Sequence, residues 1–140
     1  MTEEALREAV AKLDMSRAQL DGLIKQSDLL RMSLEEHMRA KETITRYSQT
    51  TKGERLLVPI GANCFIFAAV ESTEDVIMGL GSDVAVEQTA EGAISKLDQS
   101  IKQMNEAEEE LSKRITELDS EVAQLSQQVQ TMYEEYRSQA

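Results

Sequence analysis

Residues 94–136 read ISKLDQSIKQMNEAEEELSKRITELDSEVAQLSQQVQTMYEEY, and their apolar members fall at alternating intervals of three and four. The ladder is Ile94, Leu97, Ile101, Met104, Glu108, Leu111, Ile115, Leu118, Val122, Leu125, Val129, Met132 and Tyr136. Only Glu108 interrupts it. A mean spacing of 3.5 residues places all these side chains on one narrow seam of a helix, and such a seam is stable only when a second helix supercoils against it. The fold is therefore organised around a long coiled coil, and function is to be sought in what a rod can hold.

Working outward from this ladder, the chain divides into three segments. Residues 1–52 predict an N-terminal helix, from about Thr2 to Ser48. Leu6, Ala9, Leu13, Leu20, Leu23, Leu30, Leu34 and Ile44 occupy eight of the twelve positions of a heptad frame, with Ser16, Ser27, His37 and Lys41 at the rest. A second frame (Leu6, Val10, Leu13, Leu20, Ile24, Leu34, Met38) fills nearly as well. The apolar stripe is thus wider than a strict seam, so it touches more than one neighbour or leaves apolar surface in water. Residues 89–140 predict the second helix, with Thr89 as its N-cap and Glu91 in its first turn.

Residues 53–88 differ in character. They hold both Phe, the only Pro and four of the six Gly. Strands are expected at 55–60, 64–70, 75–80 and 83–87, giving two β-hairpins. Gly61-Ala62-Asn63 and Gly81-Ser82-Asp83 are the turn signals. Pro59 lacks a ladder donor, which predicts an edge or a bulge there. Leu56, Val58, Phe65, Phe67, Val76, Met78, Val84 and Val86 are read as one apolar face. Two short hairpins cannot bury that face alone and have open edges, so copies from other chains are expected to close it into an oligomeric barrel.

The two helical segments match in length, at about 70 Å each for ~1.5 Å per residue. Equal rods on either side of a β insert predict an antiparallel pair within one chain. The expected register places residues 6, 13, 20, 27 and 34 near 136, 129, 122, 115 and 108. A parallel dimer also satisfies the seam chemistry. Glu108, facing the seam, is expected to meet Lys41 or Arg39.

Composition narrows the function classes. The chain is 140 residues, 41% hydrophobic and 4% aromatic, which suits a Leu/Ile/Val/Met seam more than a compact globule. Net charge is −11. Residues 1–52 balance nine acids against nine bases, whereas residues 89–140 carry eleven acids and five bases. Without a basic patch, neither nucleic acid nor an anionic membrane is an expected partner. Cys64 is the only cysteine, so no internal disulfide forms, which suits a reducing compartment. The first ten residues carry three Glu and no apolar signal core, so a cytoplasmic location is expected. His37 has no ligand-spaced companions, Gly79-Leu80-Gly81 leads into a strand as a turn, and Glu108-Glu109-Glu110 fan around a helix. No metal, cofactor or catalytic site is expected, and no enzyme activity.

The order helix, two hairpins, helix resembles prefoldin. Leu57-Val58-Pro59-Ile60-Gly61, Phe65-Ile66-Phe67-Ala68, Val76-Ile77-Met78-Gly79-Leu80-Gly81 and Val84-Ala85-Val86-Glu87 are similar to the alpha-class core, and two hairpins in place of one is the alpha-class mark. Phe67 departs from relatives that carry Pro there. The length and absence of tails match an archaeal-type member. The resemblance implies a hexamer with beta subunits, two alpha to four beta, whose strands form a double barrel with six coiled-coil arms. It implies ATP-independent capture of unfolded polypeptides at the arm tips and delivery to a group II chaperonin. On that footing Leu6, Val10, Leu13, Val129, Met132, Tyr133 and Tyr136 are the client-binding candidates, exposed as the helix ends fray. Tyr133, off the ladder, is expected in solvent. A structural coiled-coil adaptor for one folded partner is the alternative reading.

Overall fold

The computed structural model describes residues 2–139. The element order is α1 (Glu3–Ser48), β1 (Arg55–Gly61), β2 (Cys64–Ala69), β3 (Asp75–Gly81), β4 (Val84–Thr89) and α2 (Ala90–Ser138). Both helices start where the residue chemistry directs. The Thr2 hydroxyl accepts from the Ala5 amide at 3.1 Å, and Glu3 and Glu4 occupy the first turn. At α2 the expected cap forms: Thr89 Oγ1 accepts from the Gly92 amide at 3.0 Å. Each cap satisfies one amide that has no intrahelical acceptor.

The described residues fall into two compact units. One comprises the chain up to Ser33 with the chain from Met104 onward; the other spans Leu34–Gln103. In the first unit the two helices run antiparallel within one chain. Arg17 Nη2 reaches Ser126 Oγ at 3.5 Å, while Arg31 Nε reaches Glu108 Oε1 at 3.0 Å, so numbers rise on one helix as they fall on the other. Leu13, Leu20 and Leu118 are buried there, Leu118 to 1% exposure. Beyond Ile101, every ladder residue is buried or half-buried, and Ser126 is the sole other residue of described α2 that is not exposed. On α1 all twelve positions of the Leu6–Ile44 frame are buried or half-buried, including the four polar ones. Val10, Ile24 and Met38 of the competing frame are exposed. The first frame is therefore the seam, and the three residues found only in the second are surplus apolar surface.

In the second unit Val70, Ala90, Ala93 and Leu97 form the core. Backbone bonds clamp the open ends of the hairpins: Gly53 N–Val70 O at 2.7 Å, Val70 N–Glu54 O at 2.9 Å and Ala90 N–Glu74 O at 2.7 Å. Lys41 Nζ pairs with Asp98 Oδ1 at 2.6 Å across the two helices.

Strand β1 pairs only with β2, and β3 only with β4. The two turns are copies of one design, twenty residues apart. Gly61-Ala62-Asn63 and Gly81-Ser82-Asp83 all have positive φ, from 50° at Ala62 to 107° at Gly61. Two central residues with φ > 0 give the right-twisting two-residue turn that antiparallel strands need. Ile60 and Leu80 are extra residues, because the register shifts between Pro59 and Gly61 and between Gly79 and Gly81. Such bulges bend the strand, and the first lies beside Pro59, as its missing donor predicts. Strand β4 begins at Val84 and not at Asp83, because Asp83 is consumed by the turn.

We expect Thr89→Ala to lower unfolding stability by about 1 kcal/mol, and Leu118→Ala to lower it by about 2–5 kcal/mol through an unfilled hole in the seam. Urea unfolding followed by circular dichroism measures both.

Candidate functional site: the β hub, the polar seam layer and the helix ends

The hub residues do not share one face. In the first hairpin the facing pairs are Leu56–Ala68, Leu57–Phe67, Val58–Ile66 and Pro59–Phe65. Directly opposed residues of an antiparallel pair point to the same side of the sheet. Leu56 and Val58 therefore lie with Ile66 and Ala68, whereas Phe65 and Phe67 lie on the other side with Leu57 and Pro59. The expected single face of Leu56, Val58, Phe65 and Phe67 is corrected to two apolar faces. The two-residue turn and the bulge at Ile60 set this parity, and neither is visible in the alternation of a single strand. In the second hairpin, Val76 opposes Gln88 and Met78 opposes Val86. There Val76, Met78, Val84 and Val86 do share a face, and Asp75, Ile77 and Glu87 occupy the other.

Both faces of the first hairpin are open in the single chain. Phe67 is 65% exposed, and Leu57, Val58, Ile60, Phe65 and Ile66 are also exposed. In the second hairpin Ile77, Leu80 and Val84 are exposed. Leu57, Ile60, Ile66, Ile77 and Leu80 were not singled out by alternation. For Leu57, Ile60 and Ile66 the signal was the continuous apolar runs Leu56–Ile60 and Cys64–Val70, which mark strands covered on both sides. Arg55 lays its guanidinium 3.8 Å from the Phe67 ring centroid, which covers part of one face. Fully burying a large apolar side chain stabilises by ~1.5–3 kcal/mol. Completing the burial of these nine is worth on the order of 10 kcal/mol, comparable to the roughly 4–15 kcal/mol that association costs.

The seam of the first unit contains a charged layer. Ser27, 4% exposed, donates through Oγ to both carboxylate oxygens of Glu108, at 2.9 and 3.1 Å. Arg31 Nε completes the cluster at 3.0 Å. The expected partners of Glu108, Lys41 and Arg39, are corrected to Ser27 and Arg31, and Lys41 is engaged by Asp98. Arg17 reaches Ser126 and Ser27 reaches Glu108, contacts that lie on either side of the expected pairing of 13 with 129 and 27 with 115. No buried side-chain nitrogen or oxygen among the described residues lacks a partner. A satisfied polar layer in an apolar seam penalises every slipped register, since slippage strands the carboxylate against leucine.

The seven helix-end candidates all belong to the first unit. Val10 is 38% and Tyr133 54% exposed, the latter as its off-ladder position predicts. Leu6, Val129, Met132 and Tyr136 are half-buried, and Leu13 is buried at 5%. The described helices include none long and apolar enough to cross a membrane.

Seam-paired helices joined to a hub that leaves both faces of a hairpin open define a coiled-coil subunit built for assembly. Comparison with known proteins specifies which. The profile of the Prefoldin family, described as "Prefoldin subunit", matches residues 16–135. Prefoldin subunit alpha of Methanopyrus kandleri is 30% identical over 105 residues, covering 75% of this chain and 67% of the relative. Prefoldin subunit alpha of Methanothrix thermoacetophila is 27% identical over 110 residues, covering 74% and 72%. Among solved structures, filamentous PFD from Methanocaldococcus jannaschii superposes with a TM-score of 0.54 at 25% identity, covering 89% of this chain and 97% of that one. The prefoldin beta subunit from Thermococcus strain KS-1 shares the fold, with a TM-score of 0.61 at 15% identity and 91% coverage of both chains. The chain belongs to the prefoldin family of chaperones, as an alpha-class subunit of archaeal type.

The polar layer makes a direct prediction. In a Cys64→Ser background, cysteines introduced as Ser27→Cys with Glu108→Cys should crosslink readily under mild oxidation, whereas Ser27→Cys with Leu125→Cys, several turns away, should not. Glu108→Ala, which strands the Ser27 hydroxyl, should cost about 1–3 kcal/mol in thermal unfolding.

Proposed function

We propose that this chain is the alpha subunit of a cytoplasmic hexamer with beta subunits, two alpha to four beta, that holds unfolded polypeptides without ATP. The single observation that carries the assembly half is the first hairpin, apolar and open on both faces. Strands of neighbouring subunits would add to its free edges, pairing the backbone groups that a two-stranded ribbon leaves unpaired. Beta subunits are the natural neighbours, since a prefoldin beta subunit shares this fold.

The holding half rests on the helix ends. Val10 and Tyr133 are exposed there, and Leu6, Val129, Met132 and Tyr136 are half-buried. Terminal turns lack the hydrogen bonds that hold interior ones, so these groups turn outward at little cost. Met132 adapts to irregular apolar surfaces, and the tyrosines present both an apolar ring and a polar end. Leu13, buried in the seam, would anchor the tip and meet a client only when the last turns open. A client held this way is released by competition and not by hydrolysis, which suits transfer to a group II chaperonin.

Removing the chain before Leu13 and after Val129 should abolish suppression of aggregation of several unrelated denatured proteins while native mass spectrometry still reports the full complex with a beta subunit. Leu57→Glu with Phe67→Glu should do the reverse and prevent assembly. Aggregation suppression that survives tip removal, or activity toward one folded partner alone, would overturn this reading in favour of an adaptor.

A further inference from the structure

The outer face of α1 carries a second apolar stripe that the intramolecular seam does not use. Ala11, Met15, Ala18, Gly22, Leu29 and Met32 follow the three-four spacing, with Lys25 the one charged residue in the series. Met15, Gly22 and Leu29 each lie two residues beyond a seam residue (Leu13, Leu20, Ser27), hence about 200° around the helix. Met15 is 67%, Leu29 68% and Met32 63% exposed. The second helix has nothing similar: Tyr133 is the one large hydrophobic residue of described α2 that is exposed. At the middle of the stripe, a side chain at Gly22 would have open space around it. Beside Gly22, on the Gln19 and Gln26 edge, a hollow of about 390 Å³ opens toward the groove between the helices, bounded also by Leu23, Leu118 and Arg114.

One edge of this stripe is acidic. Asp14, Asp21 and Asp28 recur at heptad spacing between the stripe and the seam, and all three are exposed. The arginines next to them are drawn across the seam, Arg17 to Ser126 and Arg31 to Glu108. None of the three aspartates makes an ion pair or a side-chain hydrogen bond among the described residues. The opposite edge is Lys12, Gln19 and Gln26.

We propose that this face docks a partner helix with apolar residues at heptad spacing and a row of Lys or Arg along one flank. The stripe supplies the apolar contact, and the open space over Gly22 accepts a large knob. The aspartate row selects a basic flank and fixes its side. A second copy of this chain is a poorer match, because antiparallel pairing sets aspartate row against aspartate row and parallel pairing offers that row one lysine, Lys12, and two glutamines. The stripe begins at Ala11, between the tip residues Val10 and Leu13, and runs along α1 to Met32; it does not depend on the tips' holding clients.

The test uses the full chain and two synthetic helical peptides of about three heptads with a leucine core, identical except for Lys or Glu along one flank. By fluorescence anisotropy the Lys peptide should bind about tenfold more tightly, the size expected of three partly screened ion pairs. Asp14→Asn, Asp21→Asn and Asp28→Asn together should abolish that preference. Leu29→Gln with Met32→Gln should weaken the Lys peptide about tenfold or more, and Met15→Gln should weaken it in the same direction. All these positions are exposed, and unchanged helical circular dichroism verifies that each variant is folded. Equal affinity for the two peptides, indifference to the stripe substitutions, or stripe-dependent self-association in sedimentation would overturn the proposal.

Discussion

The 3.5-residue spacing of apolar side chains is the constraint on which the other features rest. It gives each helix a seam too narrow to be covered except by another helix, and the chain supplies that helix itself. Because the seam is filled by Leu, Ile, Val and Met, little aromatic bulk is needed for it. Both phenylalanines sit in the hub. Seam and hub thus solve different problems with different residues. One is closed within the chain, and the other is left open to neighbours.

The polar layer shows how the seam obtains a single register. A purely apolar three-four ladder tolerates sliding by a heptad, because leucine meets leucine again after seven residues. Ser27, Glu108 and Arg31 remove that degeneracy. The carboxylate is partly enclosed, and its oxygens are taken by a hydroxyl and a guanidinium that exist at one place on the facing helix. The gain is specificity more than stability, since a leucine pair of similar volume would pack at no desolvation cost.

The hub illustrates the opposite strategy. Its two turns repeat one solution, a glycine followed by two residues with positive φ, with one bulged residue before it. This makes each hairpin locally well defined without a core beneath it. Local definition is what an assembling element requires: the strands must hold their shape while their faces and edges remain free. Two-sided apolarity in the first hairpin, against one polar face in the second, gives the two hairpins distinct surroundings in any assembly.

Much of this was legible in the residues alone. The ladder from Ile94 determined the second helix and its seam face. The change of character at Gly53 and Thr89 marked the ends of the hub, the turn residues located both hairpins, and Thr89 announced its own cap. These are local properties, set by backbone sterics, turn chemistry and periodicity within a few residues. What only the tertiary structure decided were relations between distant segments. Periodicity could not reveal that Glu108 takes Ser27 and Arg31 in place of Lys41 or Arg39, because heptads repeat. Alternation within single strands could not reveal that Phe65 and Phe67 lie opposite Leu56 and Val58, because face parity across a turn depends on a bulge one residue long. Nor could the choice between two α1 frames be made until α2 took one of them and left Val10, Ile24 and Met38 in water. In each case the information resides in the pairing and not in either partner.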